Sequence, residues 1–272
     1  MQRVPYRKQA TYFLSTLVSA LVLLGIATLT ARAEEKSPKA VLELFTSQGC
    51  SSCPSADKLI AQYARRDDVL AMTLPVKLWD YLGWSDTLAT EINTKRQMAY
   101  SVARGDRDVY TPQLVINGET AMLGSDKDAI DQEVATSDLP LPIDLSLNNG
   151  VLEIDLGDAE IDAESATIWL MVLDDRVHVP VSAGENRGRK LDYYNVVRDM
   201  RPVGIWKGQP IKLELPLSDV EKHATSGCVV IAQVDTFKGP GRIVGAAQLH
   251  QIFPARTIGS ADGSFPYKPG IR

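Results

Sequence analysis

The chain has 272 residues, 44% of them hydrophobic and 23% charged, and a formal net charge of −5. That length and apolar content can bury a sizeable core, so disulfides are not needed to stand in for one. An acidic chain suits nucleic acid poorly, because that binding rests on neutralising phosphates, and no nucleic-acid partner is expected.

Residues 1–33 have the layout of a secretory signal. Arg3, Arg7 and Lys8 precede an apolar run over 12–29, and Ala31-Arg32-Ala33 offers small residues for cleavage. The run is also nearly long enough for an uncleaved anchor, the one membrane association expected. Either way the remainder is expected outside the cytosol, periplasmic or secreted. Cleavage removes four basic residues and no acid, which takes the net charge from −5 to −9.

Residues 40–45 read as a strand, 46–53 as a polar loop and 55–66 as a helix. In that helix Ala56, Leu59, Ile60, Tyr63 and Ala64 share one face at i, i+3, i+4, i+7 and i+8. A second strand at 69–74 leads into the aromatic run Trp79-Asp80-Tyr81-Leu82-Gly83-Trp84. Helical pattern fills 87–104 and stops at Gly105. Thr111-Pro112 opens a strand at 113–116, Asn117-Gly118 turns it, and 119–123 returns. Ser125-Asp126-Lys127-Asp128 resembles a capping box, which starts a last helix through 135. This order predicts an α/β domain, a mixed sheet flanked by helices, over residues 38–137.

Leu139-Pro140-Leu141-Pro142 is a stiff connector. Beyond it the periods are those of strands, at 143–147, 152–156, 167–173, 211–217, 228–234 and 243–249. They predict a β-sandwich-like domain over 140–255, with a tail at 256–272.

Cys50-Ser51-Ser52-Cys53 lies between a strand and an amphipathic helix. There a thiolate feels the helix dipole and free backbone N–H groups, which lower its pKa. Cys50, expected at an exposed tip, would attack a substrate disulfide, and Cys53 would resolve the mixed disulfide. Pro54 fits a first helical turn. Structural zinc needs more ligands than one Cys pair, and His178, His223 and His250, the three histidines, are all distant in sequence. No metal or cofactor is called for. A static disulfide is the competing reading, although so short a loop adds little stability. The third cysteine, Cys228, sits in an apolar strand and reads as a small buried hydrophobe.

Three runs carry a resemblance: 41–54 around the cysteines, 79–84, and Val109-Tyr110-Thr111-Pro112-Gln113 with Asn117-Gly118. With Gly184-Glu185-Asn186 and Asn195-Val196-Val197-Arg198, they resemble the DUF1223 family of secreted, thioredoxin-like bacterial proteins. The resemblance implies a thioredoxin-like domain with a β-rich extension and no settled activity. It also implies a cis Pro112 beside the cysteines, shaping a groove for a bound peptide, where the alternative is an ordinary trans proline opening an edge strand. Thr111 and Trp79 would border that groove, and Trp79, Tyr81 and Trp84 also read as packing residues. An acid is expected two residues before Trp79, where this chain has Lys77. The pattern 115–118 followed by Gly124-Ser125-Asp126 resembles glutaredoxins, in which that helix start receives a carboxylate of glutathione. Glutathione is then a candidate substrate at Ser125 and Asp126. The alternative is that Ser125 only caps its helix. The loop holding Glu185, Asn186, Arg187 and Arg189 reads as solvated.

The expected activity is exported thiol–disulfide exchange with client proteins or small thiols. The β-rich domain would bind a partner or hold a homodimer. The alternative is a non-catalytic binding or scaffolding protein with a structural disulfide.

Overall fold

The computed structural model describes residues 38–220 and 226–250, so the signal-like segment, the tail and His223 lie outside the described residues. Strand β1 (Ala40–Thr46) and strand β2 (Val69–Pro75) are buried along their whole length. They run parallel, with Ala40 opposite Val69 and Thr46 opposite Pro75. Parallel neighbours need a crossover, and helix α1 (Cys53–Tyr63) supplies it. The alternation of β1 sends Leu42 and Leu44 to one face, under Ala56, Leu59, Ile60 and Tyr63 of α1. Val41 and Phe45 go to the other face.

That second face meets helix α2 (Glu91–Arg104), which is capped by the Thr90 hydroxyl accepting from Asn93 N and ended by Gly105 at φ +84°. Strands β3 (Gln113–Ile116) and β4 (Thr120–Leu123) form the expected hairpin, with Asn117 and Gly118 at φ +49° and +75°. β3 lies antiparallel to β1. Helix α3 (Lys127–Thr136) follows, and its Ile130 and Val134 join α1 on the first face.

The second half supplies β5 (Ile143–Asn148), β6 (Val151–Leu156), β7 (Ala166–Pro180), β8 (Lys190–Trp206), β9 (Ile211–Pro216), β10 (Gly227–Thr236) and β11 (Gly239–Leu249). Strands β5, β6 and β9 form a small antiparallel sheet. It packs its Ile143, Leu152 and Ile154 on Ile168, Leu170, Val172 and Val230 of β7 and β10.

The halves do not form two separate sheets. One eight-stranded sheet runs β11-β10-β7-β8-β2-β1-β3-β4 through both. Thr73 on β2 pairs with Val196 on β8 in parallel. Side chains reinforce this seam: Thr73 Oγ1 donates to Tyr194 O at 2.7 Å and Asn195 Nδ2 donates to Ala71 O at 2.9 Å. Phe45, Met72 and Leu74 share a core with Met171, Val197, Val229 and Ile231. The connector is packed too, since Leu141 N donates to Val244 O at 2.8 Å. Cys228 is fully buried on β10, and burial pushes its thiol up to about 12.

Glu43 is the polar exception on β1, 0% exposed. Arg96 on α2 meets it with two hydrogen bonds, Nε to Oε1 at 2.6 Å and Nη2 to Oε2 at 3.0 Å. Tyr100 also donates to Glu43 Oε2, at 2.5 Å, and receives Gln233 Nε2 from β10 at 2.9 Å. A buried ion pair of this geometry tolerates loss of neither partner.

Arg96→Met leaves Glu43 charged and unpaired, and should cost about 3–5 kcal/mol in urea unfolding. Adding Glu43→Gln should recover part of that loss. Equal losses from the single and double variants would show that the charge pairing is not what matters.

Candidate functional site

The two cysteines form a disulfide with Cα atoms 5.4 Å apart, joining the loop after β1 to the first residue of α1. Pro54 stands in the first helical turn, where its missing N–H costs nothing. Cys50 N donates to Ser47 O at 3.1 Å and Cys53 N to Cys50 O at 3.3 Å, so the loop is turned before the helix begins.

Cys50 does not stand at an exposed tip. It is 4% exposed and Cys53 is fully buried, while Ser51 and Ser52 face solvent. The cover comes from two directions, of which the sequence indicated only the first. On one side the Thr111–Pro112 peptide is cis, and Thr111 O lies 3.6 Å from Cys50 Sγ. Trp79 Nε1 donates to Thr111 Oγ1 at 2.7 Å, and a Cβ at Gly49 would stand 3.0 Å from Trp79 Cβ. Tyr81, beside Trp79 in a 3-10 turn over Asp80–Leu82, projects into solvent. Ser52 Oγ is 3.4 Å from Cys50 Sγ and is the donor, since a disulfide sulfur carries no hydrogen.

On the other side stands the tip of the long β7–β8 hairpin, residues 181–189. The sequence reading left this segment solvated; Glu185, Arg187 and Arg189 are exposed as expected, and Asn186 is the exception. Asn186 is completely buried, and its Nδ2 donates to Gln48 O at 2.9 Å and Cys50 O at 2.8 Å. Arg189 Nη1 donates to Asn186 Oδ1 at 2.9 Å, and Ser51 N donates to Glu185 Oε2 at 3.3 Å. The base of this arm has its own core, in which Val179, Val181, Leu191, Tyr193 and Val196 pack on Leu88 and Trp84.

Gln48 ties the aromatic run to the cysteine loop. Its Oε1 accepts from Trp84 Nε1 at 2.9 Å and its backbone N donates to Asp86 Oδ2 at 2.7 Å. Asp86 also accepts from the backbone of Leu88 and Ala89, yet burial holds its carboxyl above the usual range.

Asp57 is the residue that sequence reasoning missed. It follows Cys53 by one helical turn, and helical side chains lean back over the preceding turn. It is 4% exposed, and burial pushes its pKa up to about 8 against a hydrogen bond from Thr46 Oγ1 at 2.7 Å. Asp57 Oδ2 and the hydroxyl of buried Tyr193 have no hydrogen-bond partner among the described residues. Burial, then the charges of Asp57 and Asp86, raise the pKa of Tyr193 on β8.

Asp126, rather than Ser125, caps α3, with Oδ1 accepting from Ala129 N at 3.1 Å. That helix start already holds a carboxylate of the chain's own. Gly124 N donates to Pro112 O at 3.0 Å, which keeps it beside Pro112. Lys77 lies near Glu91, with Nζ 3.7 Å from its carboxylate.

Strand–helix–strand, hairpin and helix, with a Cys pair opening the first helix, is the arrangement for which relatives can be asked. A stretch of 84 residues is 33% identical to a probable thioredoxin of Archaeoglobus fulgidus, covering 31% of this chain and 72% of that one. A protein of Agrobacterium tumefaciens known from its crystal structure is 32% identical. The similarity to it covers 84% of this chain and 99% of that one, with a TM-score of 0.72. Residues 41–233 match the family described as "Protein of unknown function (DUF1223)". That match takes in the cysteine loop, the aromatic run, the cis proline and the arm together, and the chain belongs to the DUF1223 family.

Proposed function

We propose that this protein exchanges disulfides with thiol partners through Cys50 and Cys53, in an oxidising compartment outside the cytosol. The observation that carries the reading is Asp57. A buried carboxyl with a partnerless oxygen costs stability, and a disulfide acting only as a staple has no use for it. An acid poised near neutral pH, one turn behind the buried sulfur, suits proton transfer to and from Cys53.

The step balances as follows. A substrate thiolate attacks Cys50 Sγ, forming a mixed disulfide and breaking the Cys50–Cys53 bond. Cys53 leaves as a thiolate and takes the proton of Asp57. A second substrate thiolate then attacks the substrate sulfur, releasing Cys50. The substrate loses two electrons and becomes a disulfide, and the Cys pair gains them. In reverse, Asp57 as carboxylate accepts the Cys53 proton while Cys53 attacks the mixed disulfide. Thr111 and Trp79 border Cys50, and a partner would reach it past the exposed Ser51 and Ser52. Thiol partners of either kind, client proteins or small thiols such as glutathione, fit this chemistry.

The second reading is a binding protein with a static disulfide, which the low exposure of Cys50 favours. Cys53→Ser separates the two. Exchange predicts that this variant accumulates mixed disulfides on Cys50, seen by non-reducing electrophoresis and mass spectrometry. It also predicts that the wild type reduces insulin with a dithiol as electron source. Absence of both would leave the staple.

Asp57 makes a pH prediction. Its folded pKa of about 8 stands above the ordinary 3.8, so the cost of ionising it is absent below pH 3.8 and grows until the pH passes about 8. Asp57→Asn should flatten the decline of unfolding free energy across that window by about 1.4 kcal/mol per pH unit. The same variant should slow exchange roughly a hundredfold. An unchanged slope and rate would remove Asp57 from the mechanism.

A further inference from the structure

The amides at the start of α1 are the groups that a Cys50 thiolate would use for stabilisation. In the oxidised protein the loop amide just ahead of that helix start, next to Cys50, is taken, because Ser51 N donates to Glu185 Oε2 at 3.3 Å. Glu185 does not reach this position by its own flexibility. Asn186, next to it, is locked on the carbonyls of Gln48 and Cys50. Gly184, on the other side, has φ +71°, and a Cβ there would stand 3.1 Å from Trp84 Cβ. The arm therefore delivers a carboxylate to the positive end of the helix that carries the cysteines.

Two negative charges cannot both draw full benefit from one helix end, and like charges disfavour each other's ionised form. The other charged groups on the surrounding elements include Asp57 and the exposed Lys58 on α1, Asp80 and Asp86 on the aromatic loop, and Arg187 and Arg189 on the arm. Asp86 is engaged with the amides of Gln48, Leu88 and Ala89, and Arg189 with Asn186. Glu185 is the one among these whose carboxylate meets the amide adjoining Cys50.

We propose that Glu185 is a positioning residue that destabilises the Cys50 thiolate and biases the cysteine pair toward giving up electrons. The proposal rests on the exchange reading above. When two glutathione thiols reduce the pair, the Cys50–Cys53 bond breaks and one glutathione disulfide forms. Two electrons and two protons pass to the cysteines. A less stable thiolate at Cys50 makes that reduced state less favourable, which lowers the reduction potential.

The test uses full-length wild type and Glu185→Gln, which keeps an oxygen acceptor and loses the charge. Cys50 pKa is read from the pH profile of its alkylation by iodoacetamide, and the redox equilibrium from glutathione buffers above that pKa. Glu185→Gln should raise the Cys50 thiolate fraction roughly two- to fivefold at a fixed pH below the pKa. The reduction potential should then rise by about 10–20 mV, at roughly 30 mV per tenfold. If wild type equilibrates with glutathione and the variant shows the same pKa and potential, or the opposite shift, the role of Glu185 is overturned and exchange stands. If the folded wild type does not equilibrate with glutathione at all, the exchange reading fails and this inference goes with it.

Discussion

Two backbone carbonyls, of Gln48 and Cys50, point into the protein beside the disulfide, and the single carboxamide of Asn186 meets both. Buried carbonyls short of donors are costly, so the arm adds to the turn bonds and the disulfide in holding this loop's shape. The arm in turn depends on a long antiparallel ribbon whose register runs from Ala166 opposite Trp206 to Pro180 opposite Lys190. A site that opens the first half of the chain is thus completed by residues from the second.

The same dependence recurs deeper in the molecule. Glu43 on the central strand is neutralised by Arg96 on α2, and their network reaches Gln233 on β10 through Tyr100. Buried Tyr193 on β8 feels the charges of Asp57 and Asp86 from the first half. Polar groups are buried where the two halves meet, and each is satisfied, or left waiting, by a residue distant in sequence. Interiors of this kind favour one arrangement of the strands, because a slip would strand several polar groups at once.

Much of this was legible in the sequence. The largely apolar runs of β1 and β2, the single helical face of α1, the Asn117-Gly118 turn and the position of the Cys pair each follow from local rules. What was not legible depends on contact at long range. Periodicity marks Ala56, Leu59 and Ile60 as inward but cannot say that Asp57 turns in beside them. β8 escaped because it mixes charged residues with Pro202 and Gly204 and gains its register from β7, with bulges near Ile168 and Val172. Asn186, between glycines at 184 and 188, has the composition of any surface loop. Glu43 carried a usable signal, since a lone charge inside a seven-residue buried strand requires a partner. The stiff connector at 139–142 suggested a separate domain, yet an extended segment packs on β11 as readily as it spans a gap.

The placement of β2 between β1 and β8 also hides an edge. Its segment Val69–Pro75 carries no charge and no bulge to guard an open edge. The pairing of Thr73 with Val196 brings β8 along that side. The β-rich half thus shields a strand that would otherwise be a ready template for strands of other chains.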